Sequence, residues 1–272
     1  MTAVADDLVV ERDQGVLQVT LDRPGEGNAL TPGQVARLVS LLDEAGATLE
    51  TRAVLLKGAG STFCRGTDAR AARPRPPAPP DAPARPVGFT AWLIRTGVQR
   101  LIAAIRECEK PVVAAVQGLA ADAGLYVALS CDLVVAADDA RLSVRFVQRG
   151  LIPDGGGIYL LPRIVGLQRA KELMLLGDDV DAAEALKLGL VNRVVPAAEL
   201  ETVALDLARR LAAGPTTAIG LVKQLLNRSL DSDAGAAFRD EAAAQEIVMG
   251  TADLRESSTS RSEGRPPSYR GW

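Results

Sequence analysis

The regular alternation of short apolar runs with amphipathic stretches is the feature that most constrains the fold. Apolar runs at 53–57, 111–116 and 132–136 have the length and composition of buried strands. Patterns of helical period lie beside them at 92–108 and 119–129. Because strands that alternate with helices build parallel sheets with crossover connections, the sequence predicts an α/β core.

The two ends of the chain differ from this central pattern. Two strand-like runs within residues 8–22 flank Asp13-Gln14-Gly15 and predict a hairpin. Residues beyond 196 are predominantly helical in period, at 197–213 and 216–230. We therefore divide the chain into a core at 1–195 and a C-terminal helical region at 196–272.

Two segments break the periodic pattern. Residues 69–87 carry seven prolines among alanine and arginine, which predicts an extended surface loop rather than a helix or strand. Residues 257–262 are rich in serine, and a helix there would have no apolar face. We expect this second segment to be ordered by its neighbours or to lose its order.

Composition excludes several classes of partner. The chain has 272 residues, 47% of them apolar, and a formal net charge of −3. Such a charge gives no general attraction to nucleic acid or to an anionic membrane, so small molecules or copies of the same chain are the expected partners. We find no targeting segment and no membrane span, and we expect a cytoplasmic protein.

The sequence contains no histidine, which restricts its chemistry. Catalytic triads and metal sites that use histidine are excluded, and we predict no metal. Acid–base work must fall to Asp, Glu, Tyr, Lys or Cys. The three cysteines, Cys64, Cys108 and Cys131, form no CxxC pair and are expected to act as small apolar residues in a reducing compartment.

The segment 150–157 places one carboxylate, Asp154, between an apolar tripeptide and three glycines. An acid in apolar surroundings beside exposed backbone N–H groups is a candidate general base. Pro-Asp-Gly-Gly is also an ordinary turn sequence in which the aspartate accepts local hydrogen bonds. From these residues alone both interpretations stay open.

Several motifs, taken together, resemble the crotonase (enoyl-CoA hydratase/isomerase) superfamily, and they follow the order of that family over residues 8–255. The segment 63–68 fits F-x-x-G-x-D, and 185–191 fits A-x-x-x-G-L-V. The other matching segments are 110–118 with Ala123-Gly124 and Cys131-Asp132, then 150–154 and 161–166.

The resemblance implies a spiral of ββα units with a C-terminal helical region, assembled as a homotrimer or a dimer of trimers. It implies an acyl-CoA thioester as the partner, with coenzyme A as part of the substrate and no other cofactor. The shared chemistry passes through an enolate whose oxygen is held by two backbone N–H groups. By motif these N–H groups belong to Thr67 and Ala123, and fixed peptide donors suit this task.

Two departures from the family pattern decide which reaction is favoured. Hydratases of the family carry glutamates where this chain has Tyr126 and Phe146, and neither side chain can act as a carboxylate. The pair that activates a water is therefore missing, and we assign Tyr126 and Phe146 to the lining of the substrate pocket. Proton donation by Tyr126 is the alternative.

Asp154 occupies a position where some isomerases and aryl-CoA dehalogenases of the family carry a functional aspartate. A double-bond shift needs one base that removes a proton and returns it at another carbon. The segment around Asp154 particularly resembles the isomerases of ring-opening phenylacetyl-CoA catabolism, which suggests a bulky or cyclic acyl group. We therefore predict an enoyl-CoA isomerase, with a hydratase or a non-catalytic acyl-CoA binding protein as alternatives.

Further charged residues have two interpretations each. Asp122 is either a second acid or a helix-start carboxylate. Arg65, Asp68 and Arg70 are candidates to contact CoA, although Asp68 also fits a structural turn and exposed arginines are commonly just solvated. The remaining two charges of interest, Lys223 and Arg228, are expected to face solvent on a late helix.

Overall fold

A computed structural model of the chain describes residues 7–71, 79, 81, 83 and 87–272. The prediction of an extended loop at 69–87 falls mostly outside the described residues. The strands within these described residues are β1 (Leu8–Asp13), β2 (Val16–Leu21), β3 (Ala53–Gly58), β4 (Val112–Val116), β5 (Leu119–Ala121), β6 (Leu133–Ala137), β7 (Arg141–Ser143), β8 (Val180–Asp181) and β9 (Arg193–Val195).

The strands form two sheets. The larger sheet has the order β1-β2-β3-β4-β6-β9, and the smaller has the order β5-β7-β8. In the larger sheet β1 and β2 pair antiparallel as the predicted hairpin, and the other neighbours pair parallel. The expected α/β architecture is confirmed.

Helices cover both faces of the larger sheet. They are α1 (Pro32–Ala47), α2 (Phe89–Thr96), α3 (Val98–Glu107), α4 (Ala123–Ser130), α5 (Gly157–Leu176), α6 (Ala182–Lys187), α7 (Leu200–Ala212), α8 (Thr216–Ser229), α9 (Ala234–Met249) and α10 (Ala252–Glu263). One face of the sheet packs on α1, α3 and α4 in the main core. The other face packs on α7 through Leu200, Ala204, Leu207 and Ala208. Helix α7 of the predicted C-terminal helical region therefore packs on the sheet of the predicted core.

Two predicted helices differ from those observed. The pattern at 92–108 forms two helices, α2 and α3, which are separated at Gly97, where the backbone has φ −95° and ψ −114°. The pattern at 119–129 forms a helix from Ala123 onward, whereas 119–121 is strand β5. Pairing of β5 with β7 outweighs the local helical pattern because the strand satisfies backbone groups that are buried there.

Lys223 was expected to face solvent on its helix, and that prediction was wrong. Its side chain is buried, with 6% of the residue exposed. The ammonium group lies 2.8 Å from Asp132 Oδ2 and donates to the carbonyls of Ile105, at 2.8 Å, and Lys110, at 3.1 Å. These partners belong to the core, so Lys223 joins α8 to the end of α3 and to the turn before β6. Arg228 is exposed, as expected.

The serine-rich segment is helical in α10 although it has no apolar stripe. Thr251 caps the helix by accepting from the N–H of Leu254 at 3.1 Å. The Asp253 carboxylate accepts from the N–H groups of Arg270, at 2.6 Å, and Gly271, at 2.8 Å. Polar contacts with residues 265–272 therefore order this segment, which is the first of the two outcomes expected. None of the helices in the described ranges is long and apolar enough to cross a membrane.

Candidate active site

The site is built where two backbone segments run side by side. Cys64 N–H donates to Leu119 O at 3.1 Å, and Ala121 N–H donates to Cys64 O at 2.9 Å. These bonds bring the loop 64–67 against β5 and the start of α4. A β-carbon placed on Gly66 would lie 3.7 Å from the backbone nitrogen of Ala123. The sequence-predicted donors, on Thr67 and Ala123, therefore come from neighbouring loops.

The Thr67 N–H points away from Leu30, which pairs with this loop as an isolated β-bridge. Leu30 N–H donates to Gly66 O at 2.8 Å, and Asp68 N–H donates to Leu30 O at 2.9 Å. Since the C=O and N–H of a trans peptide point in opposite directions, the peptide that turns its oxygen to Leu30 turns the Thr67 N–H away from it. Thr67 as a whole residue is exposed.

The Ala123 N–H is the first of α4 and has no acceptor within its helix. The carbonyl of the preceding Asp122 accepts from the N–H of Tyr126 at 3.1 Å, so the Ala123 N–H points out of the helix start. Over the described ranges of the chain, no hydrogen bond is made by the N–H of Thr67 or of Ala123. The predicted role of the two N–H groups as oxyanion donors is therefore compatible with this geometry and stays a prediction.

Asp122 has an unusual backbone conformation, with φ 52° and ψ −121°. Residues other than glycine rarely adopt positive φ with such a ψ, and the cost is on the order of 1–3 kcal/mol. The carboxylate is buried and accepts from the backbone N–H of Arg145 at 2.7 Å and from the guanidinium of Arg149. This environment favours a structural role for Asp122 at the helix start over that of a second acid.

Tyr126, in the first turn of α4, stacks its ring on that of Phe146. The rings of Tyr126 and Phe146 have centroids 6.1 Å apart and planes within 4° of parallel. Both residues are buried, and the guanidinium of Arg149 lies 5.4 Å from the Phe146 centroid. Burial raises the pKa of the Tyr126 hydroxyl, with smaller contributions from the charges of Asp122 and Asp154. The hydroxyl therefore stays protonated at neutral pH.

The Asp154 turn packs directly on this aromatic pair. Gly155 and Gly156 have φ 66° and 92°, so the glycine run is required by the backbone path. A β-carbon on Gly157 would lie 2.0 Å from Tyr126 Cζ, and one on Gly155 would lie 2.4 Å from Val98 Cγ1. Asp154 itself is half-buried. A carboxylate is thus held at the edge of the aromatic pair and within electrostatic reach of Tyr126.

An open groove of about 580 Å³ lies behind this turn, between α3 and α8. Its lining combines the apolar side chain of Ile102 with Gly156, the ring of Tyr159, and the polar groups of Arg106 and Arg228. Such a volume has the size of small-molecule sites in proteins.

Comparison with known proteins agrees with the motifs and the geometry. The sequence model of the enoyl-CoA hydratase/isomerase family matches residues 11–271. The chain belongs to this family. It is 35% identical to a probable enoyl-CoA hydratase of Rhodobacter capsulatus, with 96% of each chain covered. It is 34% identical to the 1,2-epoxyphenylacetyl-CoA isomerase of Escherichia coli, with 95% of this chain and 96% of the relative covered.

Solved structures give the same result for the fold. The crystal structure of an enoyl-CoA hydratase from Bacillus anthracis superposes with a TM-score of 0.88 at 29% identity, covering 98% of this chain and 100% of the other. The family assignment and the crotonase fold predicted from the motifs are therefore confirmed. This chain is an acyl-CoA-processing member of the family.

The loop residues that were candidates for CoA contact have different surroundings. Asp68 is buried, and its carboxylate accepts from Arg23 at 3.0 Å and from the Arg70 N–H at 2.9 Å. These contacts lower the pKa of Asp68 and support its structural role in the loop. Arg70 is exposed and paired with Glu26, whereas Arg65 is exposed beside Gly27. Arg65 and Arg70 stay predicted contacts for CoA.

Sequence reasoning did not single out Arg149. It contacts Asp122 and Phe146 at once, and so links the start of α4 to the pocket lining. No sign of this contact is present in the sequence, because Asp122 lies 27 residues before Arg149 and no motif links the two positions. Cys64 lies in the loop yet is fully buried, and burial raises the pKa of its thiol to about 12. It is therefore not a candidate nucleophile at neutral pH.

Proposed function

We propose that this protein is an enoyl-CoA double-bond isomerase in which Asp154 is the single acid/base. The observation that carries the proposal is the replacement of carboxylates at 126 and 146 by a stacked, buried aromatic pair with Asp154 at its edge. Two carboxylates influence Tyr126, and Asp122 is buried at the start of α4, where it holds the backbone. Asp154 is the half-buried acid at the edge of the aromatic pair.

The proposed reaction starts when the thioester oxygen accepts hydrogen bonds from the Thr67 and Ala123 N–H groups. The Asp154 carboxylate removes a proton from the carbon between the thioester carbonyl and the double bond, and an enolate conjugated with that double bond forms. The carboxylic acid then returns the proton at a different carbon, so that the double bond moves. One oxyanion donor of this type contributes about 3 kcal/mol to lowering the barrier. No cofactor is needed beyond the CoA of the substrate.

The acyl group that we propose is bulky or cyclic. Similarity to the 1,2-epoxyphenylacetyl-CoA isomerase supports this, and so does the groove beside Gly156 of the Asp154 turn.

A hydratase is the second candidate, because several relatives carry that name. It would require Asp154 to activate a water without either family glutamate. A product that carries a 3-hydroxyl group would distinguish this reaction from a double-bond shift.

Exchange of substrate protons with solvent tests the role of Asp154. Phenylacetyl-CoA can form an enolate but has no double bond to move, so deuterium uptake at its α-carbon in D₂O reports proton removal alone. We expect uptake with the wild type and a loss of at least about a hundredfold in Asp154→Asn, with an unchanged dissociation constant. Asp178→Asn is the matched control, since Asp178 is an exposed aspartate on another surface.

Product analysis completes the test. Incubation with 3-hexenoyl-CoA should give the conjugated 2-enoyl product, which is followed by its absorbance and by mass. Formation of 3-hydroxyhexanoyl-CoA from 2-hexenoyl-CoA would support the hydratase instead. Tight binding of phenylacetyl-CoA without exchange or product would make the protein an acyl-CoA binding protein.

We further propose that the protein assembles as a homotrimer or a dimer of trimers. Apolar side chains are exposed on α8 and α9, among them Leu226, Leu230, Phe238 and Ile247. Exposed apolar side chains concentrated on one region mark an interaction surface, and a second copy of the chain is the partner expected from the family.

A further inference from the structure

The backbone at Asp122 orients one of the two proposed oxyanion donors. The Ala123 N–H belongs to the peptide whose direction is set by the Asp122 ψ of −121°, at a φ of 52°. Three contacts hold this conformation. Asp122 N–H donates to Ser143 O at 2.9 Å, and the carboxylate accepts from the N–H of Arg145 at 2.7 Å and from Arg149. All three partners lie in residues 143–149, so this segment fixes the peptide.

The charge of Asp122 is also important. Asp122 is 5% exposed and adjoins the Ala123 N–H. A buried negative charge beside a developing oxyanion would repel it, and weak solvent screening would make the effect large. The guanidinium of Arg149 contacts the Asp122 carboxylate and lies over the Phe146 ring, which restricts its position. The pair is therefore neutral as a whole.

We propose that Asp122 and Arg149 form a positioning pair for the oxyanion-binding peptide. Asp122 fixes the direction of the Ala123 N–H. Arg149 neutralises the negative charge of Asp122 beside that N–H. This inference rests on the proposed function, because it takes the Ala123 N–H to be a donor to the enolate oxygen. Neither side chain transfers a proton.

The two roles predict an unusual pattern among four proteins. In Arg149→Gln the Asp122 charge is uncompensated, and we expect the rate constant for deuterium exchange into phenylacetyl-CoA to fall at least about tenfold, with KM nearly unchanged. In Asp122→Asn the amide oxygen still accepts from the Arg145 N–H, and we expect activity within about threefold of wild type. The double variant should recover to the level of Asp122→Asn.

Two further variants separate charge from structure. Arg149→Lys keeps the positive charge and should retain most of the activity lost in Arg149→Gln. Arg169→Gln is the matched control, because it removes an exposed cation of α5 that pairs with Glu172 and has no contact with Asp122 among the described residues. It should have wild-type kcat. Thermal unfolding of every variant is measured alongside, and Arg149→Lys carries the test if Arg149→Gln does not fold.

Several outcomes would overturn this inference. A double variant as slow as Arg149→Gln would show that charge cancellation is not the role of Arg149. A loss in Asp122→Asn as complete as that in Asp154→Asn would make Asp122 an acid or base. Exchange by the wild type with an unaffected Arg149→Gln would overturn the positioning pair alone, whereas no exchange by the wild type would overturn the proposed function as well.

Discussion

Tyr126 shows how one residue changes what the site can do. Its ring fills the space beneath the Asp154 turn, where the bare α-carbon of Gly157 allows close approach. The residue is 0% exposed, and its hydroxyl has no hydrogen-bond partner in the part of the chain that the structure describes. A buried hydroxyl without a partner costs about 1–3 kcal/mol. Tyr126 is thus a fully buried ring with an unfavourable polar atom.

Removing that hydroxyl should stabilise the protein. We expect Tyr126→Phe to raise the free energy of unfolding by about 1 kcal/mol, because the stacked ring is kept and the unpaired polar atom is lost. Urea denaturation followed by circular dichroism measures the change.

Tyr126→Leu is the companion variant, since it loses the stacking on Phe146 as well as ring volume. It should destabilise by about 3 kcal/mol, as large-to-small changes in cores do. If Tyr126→Phe were also destabilising by more than about 1 kcal/mol, the hydroxyl would have to be bound by ordered water.

Among the elements, α10 is held by polar contacts in place of an apolar face. Glu256 accepts from Arg265 at 2.6 and 3.1 Å and from the Ser268 N–H at 2.8 Å. The Arg265 hydrogen bonds, followed by that from Ser268, lower the pKa of Glu256 to about 2 from its usual 4.5. Since the folded pKa is lower than the unfolded one, the stabilisation is complete above pH 4.5 and is lost as the pH falls toward 2.

The contact can be followed through the Ser268 amide by NMR. At about pH 3.5 we expect its chemical shift to remain near the neutral-pH value, because Glu256 is still ionised in the folded protein. In Glu256→Gln the same amide should show no titration. A midpoint near 4.5 in the wild type would mean that the contact with Arg265 does not form in solution.

For the whole molecule, the C-terminal region combines a buried anchor with an exposed apolar surface. The buried ion pair of Lys223 and Asp132 fixes α8 to the core. Beyond it, α9 buries Ala244 but exposes Phe238 by 67% and Met249 by 57%. Burying such side chains against a second copy would recover about 1.5–3 kcal/mol each.

Light scattering after size exclusion tests the assembly. We expect a mass of three or six times the 28.5 kDa of one chain. Phe238→Glu places a charge on the exposed apolar surface and should shift the mass toward that of one chain without unfolding the core. Glu241→Gln, on the same helix, is the matched surface control. A wild-type mass of 28.5 kDa at micromolar concentration would contradict the proposed assembly.

Much of the fold was predictable because its signals are local. The hairpin at 8–22 followed from alternation and a turn sequence, and the parallel strands followed from short apolar runs. The predictions for residues 119–121 and for Lys223 were wrong, because contacts with residues distant in the chain decide their structure. The strand at 119–121 pairs with β7, and Lys223 is buried by acceptors more than 90 residues away in the chain. No local pattern contains those partners.

The sequence by itself determined the α/β class, the absence of histidine chemistry, the family and the presence of one acid in a glycine-rich turn. Only the tertiary structure decided what surrounds each group. It set Tyr126 against Gly157, gave Asp122 its positive φ and its partner Arg149, and left the Thr67 and Ala123 N–H groups without an acceptor among the described residues. The reason is physical: composition and spacing fix which groups exist, whereas pKa values, strain and donor directions depend on neighbours that folding brings together.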